Sequence, residues 1–128
     1  MKLGYTILYV EDVAKTLAFY EQAFGLKTAF LSPGAEFGAL DTGATALAFC
    51  TRKYLRDAGK TVQPPDAQQP CFEIALTTHD VPVALARAVT AGATLTQAAE
   101  VMPWGQTVGY VTDLEGFCVE ICTPMGGD

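Results

Sequence analysis

The sequence predicts an α+β fold made of two consecutive βαβββ modules, and three observations carry that prediction. Tyr5-Thr-Ile-Leu-Tyr-Val-Glu-Asp-Val13 recurs 68 positions later as Glu73-Ile-Ala-Leu-Thr-Thr-His-Asp-Val81, each an apolar strand-like run entering Asp-Val. Asp41-Thr-Gly-Ala-Thr-Ala-Leu-Ala-Phe-Cys-Thr51 recurs 72 positions later as Asp113-Leu-Glu-Gly-Phe-Cys-Val-Glu-Ile-Cys-Thr123, and both copies end in Cys-Thr. Between these landmarks the hydrophobic period changes from strand to helix and back to strand. The two shifts differ by four, which places a small length change between helix and third strand, where loops absorb it.

Each element has a local reason. Residues 3–10 alternate as a strand; Asp12 then suits an N-cap, and Val13, Leu17, Tyr20 and Phe24 form a helical stripe closed by Gly25. Lys27–Ser32, Glu36–Leu40 and Thr45–Cys50 are short β-rich runs separated by Pro33-Gly34 and by Asp41-Thr-Gly43. In the second module Cys71–Thr77 reads as the first strand. Asp80 caps a helix with Val81, Leu85 and Ala88 inward, Pro82 in its first turn and Gly92 at its end. Strands near Thr94–Ala98, Thr107–Thr112 and Phe117–Cys122 follow, the last two joined by a three-residue hairpin loop with Gly116 left-handed. The modules are thus 1–51 and 71–124. The linker 52–70 carries half of the basic residues, and its length suggests a helical turn around Tyr54–Ala58 or a lid.

Composition bounds the function. The 128 residues are half apolar, enough for a core, and carry a net charge of −6. That acidity argues against nucleic acid as a partner, since phosphate binding rests on clustered Lys and Arg, and favours a cation where a ligand is charged. No apolar run approaches the ~20 residues of a membrane span, and Met1 leads directly into a strand, so a cytoplasmic location without membrane association is expected. Cys50, Cys71, Cys118 and Cys122 lack CxxC spacing and read as reduced thiols in packing roles.

The repeat, with Tyr9-Val-Glu-Asp-Val-Ala-Lys-Thr-Leu-Ala-Phe-Tyr20, Phe24-Gly-Leu26, Pro103-Trp-Gly-Gln106 and the Asp113-Leu-Glu-Gly116 turn before Val119-Glu-Ile121, resembles the vicinal oxygen chelate superfamily. Glyoxalase I, the extradiol dioxygenases, the fosfomycin-resistance enzymes and the bleomycin-binding proteins belong to it, and the chain looks most like the bleomycin-resistance branch. The resemblance implies modules that curl into a mixed sheet around a central cleft, commonly in a homodimer. Catalytic members hold a divalent metal there with side chains from the first and last strands of each module. At those positions this chain has Tyr5, Ala48, Glu73 and Glu120. A transition-metal site wants about three ligands with imidazole among them. The single histidine, His79, falls in the strand-to-helix turn, so the expectation is no cofactor, with weak Mg²⁺ or Mn²⁺ binding by Glu73 and Glu120 as the alternative.

Residues two apart in a strand share a face. The expected cleft lining is therefore Tyr5, Ile7, Tyr9, Ala48, Cys50, Glu73, Val108, Tyr110 and Glu120, with Trp104 as a movable wall. Leu8, Val10, Leu47, Phe49, Phe72, Ile74, Leu76, Phe117, Val119 and Ile121 form the opposite, helix-covered face. Aromatic rings with carboxylates suit planar or cationic ligands. The leading function is a binding protein that sequesters an aromatic or cationic small molecule in a metal-free cleft. The alternative is a metal-dependent (Mg, Mn, Zn or Ni) glyoxalase-like lyase, isomerase or transferase using Glu73 and Glu120.

Overall fold

Strand β1 (Tyr5–Val10) passes through Asp12 into helix α1 (Val13–Phe24), where the Asp12 carboxylate accepts the Lys15 amide and so caps one of the open N–H groups. Gly25 ends the helix in the left-handed conformation, φ 72°, as the helical stripe required. Strands β2 (Thr28–Leu31), β3 (Phe37–Leu40) and β4 (Ala46–Thr51) follow, and helix α2 (Arg52–Asp57) is capped by the Thr51 hydroxyl. The second module repeats the plan with β5 (Ile74–Thr77), α3 (Val81–Thr90), β6 (Thr94–Val101), β7 (Thr107–Thr112) and β8 (Cys118–Cys122). This computed structural model describes residues 1–127, in two compact units that meet in sequence at Pro64 and Pro65, inside the expected linker.

Each unit has its own open four-stranded mixed sheet, in the order β1-β4-β3-β2 and β5-β8-β7-β6. In each, the first strand pairs in parallel with the last and the other pairs are antiparallel. The helix covers one face. In unit 1 Val13, Leu17 and Tyr20 bury against Leu8, Val10, Leu47 and Phe49; in unit 2 Val81, Leu85 and Ala88 are buried, as are Val119 and Ile121. A middle-strand glycine lets each helix seat closely: a Cβ on Gly38 would lie 2.7 Å from Leu17 Cδ1, and one on Gly109 would lie 2.5 Å from Leu85 Cδ1. Among the described residues no helix is long and apolar enough to cross a membrane.

Three boundaries differ from the sequence reading. Strand β5 begins at Ile74, not Cys71, its ladder to β8 starting with Ile74 opposite Val119. Phe72 is therefore 45% exposed, touching Phe117 edge-on, where the alternation had put it under the helices. Strand β6 runs on to Val101, since two register shifts keep it paired with β7 where Gln97 and Glu100 break the apolar alternation. The first part of the linker is structure of unit 1. Arg52, buried, donates to the Tyr9 carbonyl at 3.0 Å and lies 3.5 Å from the Glu11 carboxylate, and Leu55 is buried beside it.

Candidate functional site

The hairpin between β7 and β8 sets the geometry of unit 2. The buried Asp113 carboxylate accepts the amides of Glu115 at 2.9 Å and Phe117 at 2.8 Å, and Gly116 takes φ +103°. That turn fixes the register so that Tyr110 stands opposite Glu120, and Glu120 opposite Ala75 on β5. On the sheet face away from α3, Tyr110 and Glu120 are half-buried and Glu73, one residue before β5, is exposed.

These three side chains interact. Burial, then the negative charges of Glu120 and Glu73, push the Tyr110 phenol up to about 12, and its hydrogen-bonding interaction with Glu120 adds to the shift. Burial also raises the Glu120 carboxyl, a hydrogen bond to Glu73 and that group's charge raise it further, and the Tyr110 hydrogen bond opposes them. Glu120 therefore keeps its proton to a higher pH than an ordinary glutamate does. The Cys118 and Cys122 thiols beside them are raised by burial and by the same two carboxylates, which disfavours a nucleophilic thiolate. The whole unit is acidic: from Pro65 onward eight Asp and Glu face Arg87 alone, a net of −7, whereas Met1–Pro64 has six acidic and seven basic residues, a net of +1.

Unit 1 presents a different face. Tyr5, Ile7 and Tyr9 are 69%, 51% and 39% exposed, and Ala48 is half-buried between them and β3. Phe37 and Tyr54 add an edge-to-face pair with ring centroids 4.7 Å apart. This pair was not foreseen, since nothing in the spacing shows that α2 folds over β3. Cys50 and Val108, both expected to line a ligand site, are almost fully buried and offer a ligand no surface. Of the ten expected site residues, Glu73, Tyr110 and Glu120 are brought together in unit 2, while Tyr5, Ile7, Tyr9, Ala48 and Cys50 belong to unit 1.

Trp104 sits apart from the carboxylates, on the loop before β7. Its indole N–H donates to Gln106 Oε1 at 2.9 Å and Gln106 Nε2 donates to the Thr123 carbonyl at 2.8 Å. A pocket of about 290 Å³ lies there, lined by Trp104, Gly105, Gln106, Pro124, Met125 and Gly126. An apolar groove of about 620 Å³ lies between α3 and β6, lined by Pro82, Leu85, Ala86, Val89, Leu95, Ala98 and Ala99. Neither includes Glu120.

A profile of the Glyoxalase/Bleomycin resistance protein/Dioxygenase superfamily matches residues 2–121. The chain belongs to that superfamily. Its fold is similar to that of a glyoxalase-related enzyme from Fulvimarina pelagi, with 25% identity, a TM-score of 0.82, and 100% of this chain and 94% of that one covered. A superfamily enzyme from Burkholderia phytofirmans PsJN is similar at 22% identity and TM-score 0.79, covering 96% and 98% of the two chains. TioX from Micromonospora sp. ML1 is similar at 23% identity and TM-score 0.72, with the same coverages. No curated relative matches the chain at a significant level. The metal that catalytic members of this superfamily hold is a poor match for the donor set. Among the described residues no three His, Cys, Asp or Glu side chains are placed to hold an ion, and the one histidine, His79, is exposed in a turn before α3.

Proposed function

We propose that this protein is a small-molecule-binding member of its superfamily, of the bleomycin-resistance type, that takes an aromatic or cationic compound without a metal. The observation that carries this reading is the Tyr110–Glu120–Glu73 cluster on the open face of a unit with a net charge of −7. A cation beside Glu120 and Glu73 favours the ionised Glu120 carboxylate and offsets the repulsion between the two groups, and a flat ring stacks on Tyr110. Such a protein works as a sequestering agent in the cytoplasm, as a homodimer. Thermal melts with a panel of aromatic amines and amidines test it: the reading expects a rise in Tm that grows with concentration as RT ln(1 + [L]/Kd). A panel that leaves Tm unchanged contradicts it.

One observation favours a second reading, a metal-dependent lyase, isomerase or transferase that uses Glu73 and Glu120. The raised Glu120 carboxyl, beside the second carboxyl of Glu73, is a proton donor and acceptor of the kind that lyases and isomerases use. Elemental analysis separates the two. About one transition metal per chain, lost in Glu120→Gln, establishes the metal-dependent enzyme; purified protein without stoichiometric Zn²⁺, Ni²⁺ or Fe²⁺ supports the binding protein.

A further inference from the structure

We infer that the groove between α3 and β6 is a second binding site of unit 2, for a single alkyl chain that ends in a cationic head group. The groove lies on the helix side of the sheet, towards which Gly109 points, whereas its neighbour Tyr110 points to the other face with Glu120. The inference is therefore independent of the carboxylate cluster. A volume of about 620 Å³ falls within the range of small-molecule sites, and none of the side chains around it is polar. Val89 and Leu95, 43% and 47% exposed, form its two sides, with buried Leu85 as its floor. Exposed apolar side chains are ordinary when scattered, but gathered along one groove they mark a binding surface.

Local features open the groove. Gly109 lets Leu85 sink towards the sheet, since a Cβ there would lie 2.5 Å from Leu85 Cδ1. Ala98 and Ala99 are consecutive yet both line the groove, because they sit within the register shift between Gln97 and Glu100, and their methyl groups fill little of it. Unit 1 has no such strip. Its β2 has four residues where β6 has eight, and on the helix the 68-residue repeat sets Ala14, Leu17 and Ala18 against Pro82, Leu85 and Ala86 but Glu21 against Val89. The occupant follows from size and charge. Seven residues line the groove, against about 20–30 a side in a stable protein interface, so it is too small to seat a second copy or another folded protein. Walls without a ring or a polar side chain bury a flexible apolar chain along its length. Because α3 turns at Gly92 directly into β6, the start of α3 and the end of β6 share one end of the groove. Asp80, two residues before Pro82, and Glu100, one after Ala99, are both exposed at that end, in a unit of net charge −7. A cationic head group is favoured there and a fatty-acid carboxylate disfavoured.

Hexyl-, octyl- and decyltrimethylammonium, each below its micelle-forming concentration, test the site in ¹H–¹⁵N spectra of the labelled protein. Each should shift the amides of Leu85, Ala86, Val89, Leu95, Ala98 and Ala99 along one saturable curve. Every added methylene should tighten binding about two- to fourfold, the upper value being complete burial of the group. Decyl sulfate, with the same chain and the opposite charge, should bind about threefold more weakly or worse. Val89→Gln, at an exposed helix position whose counterpart Glu21 is already polar, leaves the fold intact and should weaken the decyl compound about fivefold. Glu120→Gln should not move the curve, which separates this inference from the cation-binding reading of the other face. Four results would overturn it: an affinity indifferent to chain length; decyl sulfate bound as tightly as the ammonium; shifts indifferent to Val89→Gln, or centred on Tyr110 and lost in Glu120→Gln; or groove amides that move with protein concentration alone, which would make a second copy the occupant.

Discussion

The two units are the same βαβββ plan carrying different surfaces. On the helix side their residues correspond: Val13 with Val81, Leu17 with Leu85, and the close-approach glycines Gly38 with Gly109. At the centre of the other face they part. Unit 1 has Ile7, Ala48 and Ala39 in a row across β1, β4 and β3, where unit 2 has Ala75, Glu120 and Tyr110 across β5, β8 and β7. Packing against a helix restricts the first set to apolar side chains of fitting volume, whereas the open face carries no such restriction. The divergence is therefore where ligand chemistry is free to reside, and it puts the charge on unit 2.

The largest effect on this comparison comes from the cores, which are unequally filled. Tyr20, fully buried, packs at 5.3 Å from Phe49 and 5.2 Å from Phe24, while its counterpart in unit 2 is Ala88. Tyr20→Ala should cost about 3–5 kcal/mol in urea denaturation. A loss below about 1 kcal/mol would mean that unit 1 does not depend on its aromatic core. Gly38→Ala and Gly109→Ala should each cost about 1–3 kcal/mol, because the added methyl meets a leucine of the helix above it. If one of the two is neutral, the units do not share the same helix seating. The smallest effect is electrostatic. The Glu120 carboxyl is raised in the folded state, so its contribution to stability is present below the ordinary carboxylate range and is lost as pH rises through the raised value. Glu120→Gln should accordingly gain Tm relative to the parent at pH 8 and show less gain at pH 4. Equal differences at both values would show that folding does not raise the Glu120 carboxyl.

Much of the fold was legible because it is written locally. Asp12 and Asp80 cap their helices, Gly25 and Gly116 take the left-handed conformations their turns require, and the hairpin register that pairs Tyr110 with Glu120 follows from the turn alone. What was hidden depends on neighbours distant in sequence. Strand β5 starts late, its ladder to β8 beginning only with Ile74 opposite Val119, and β6 runs long through register shifts no periodicity announces. The same holds for the site. Alternation puts Val108 on the face of Tyr110 and Cys50 on the face of Ala48, yet both are buried, and parity says nothing of depth. Gln106 went unremarked although it stands two residues from Trp104, the spacing at which a side-chain amide reaches an indole N–H.

Isothermal titration with benzamidinium, a planar organic cation, between pH 5 and pH 8 measures the asymmetry of the two faces most directly. The account predicts binding that tightens as pH rises, because the cation favours the ionised form of Glu120, whose carboxyl burial and the Glu73 charge raise. It further predicts a loss of at least about fivefold in Glu120→Gln, with a flat pH profile, and little change in Tyr5→Ala. Unchanged affinity in Glu120→Gln together with a loss in Tyr5→Ala would place the binding chemistry on unit 1 and contradict the account.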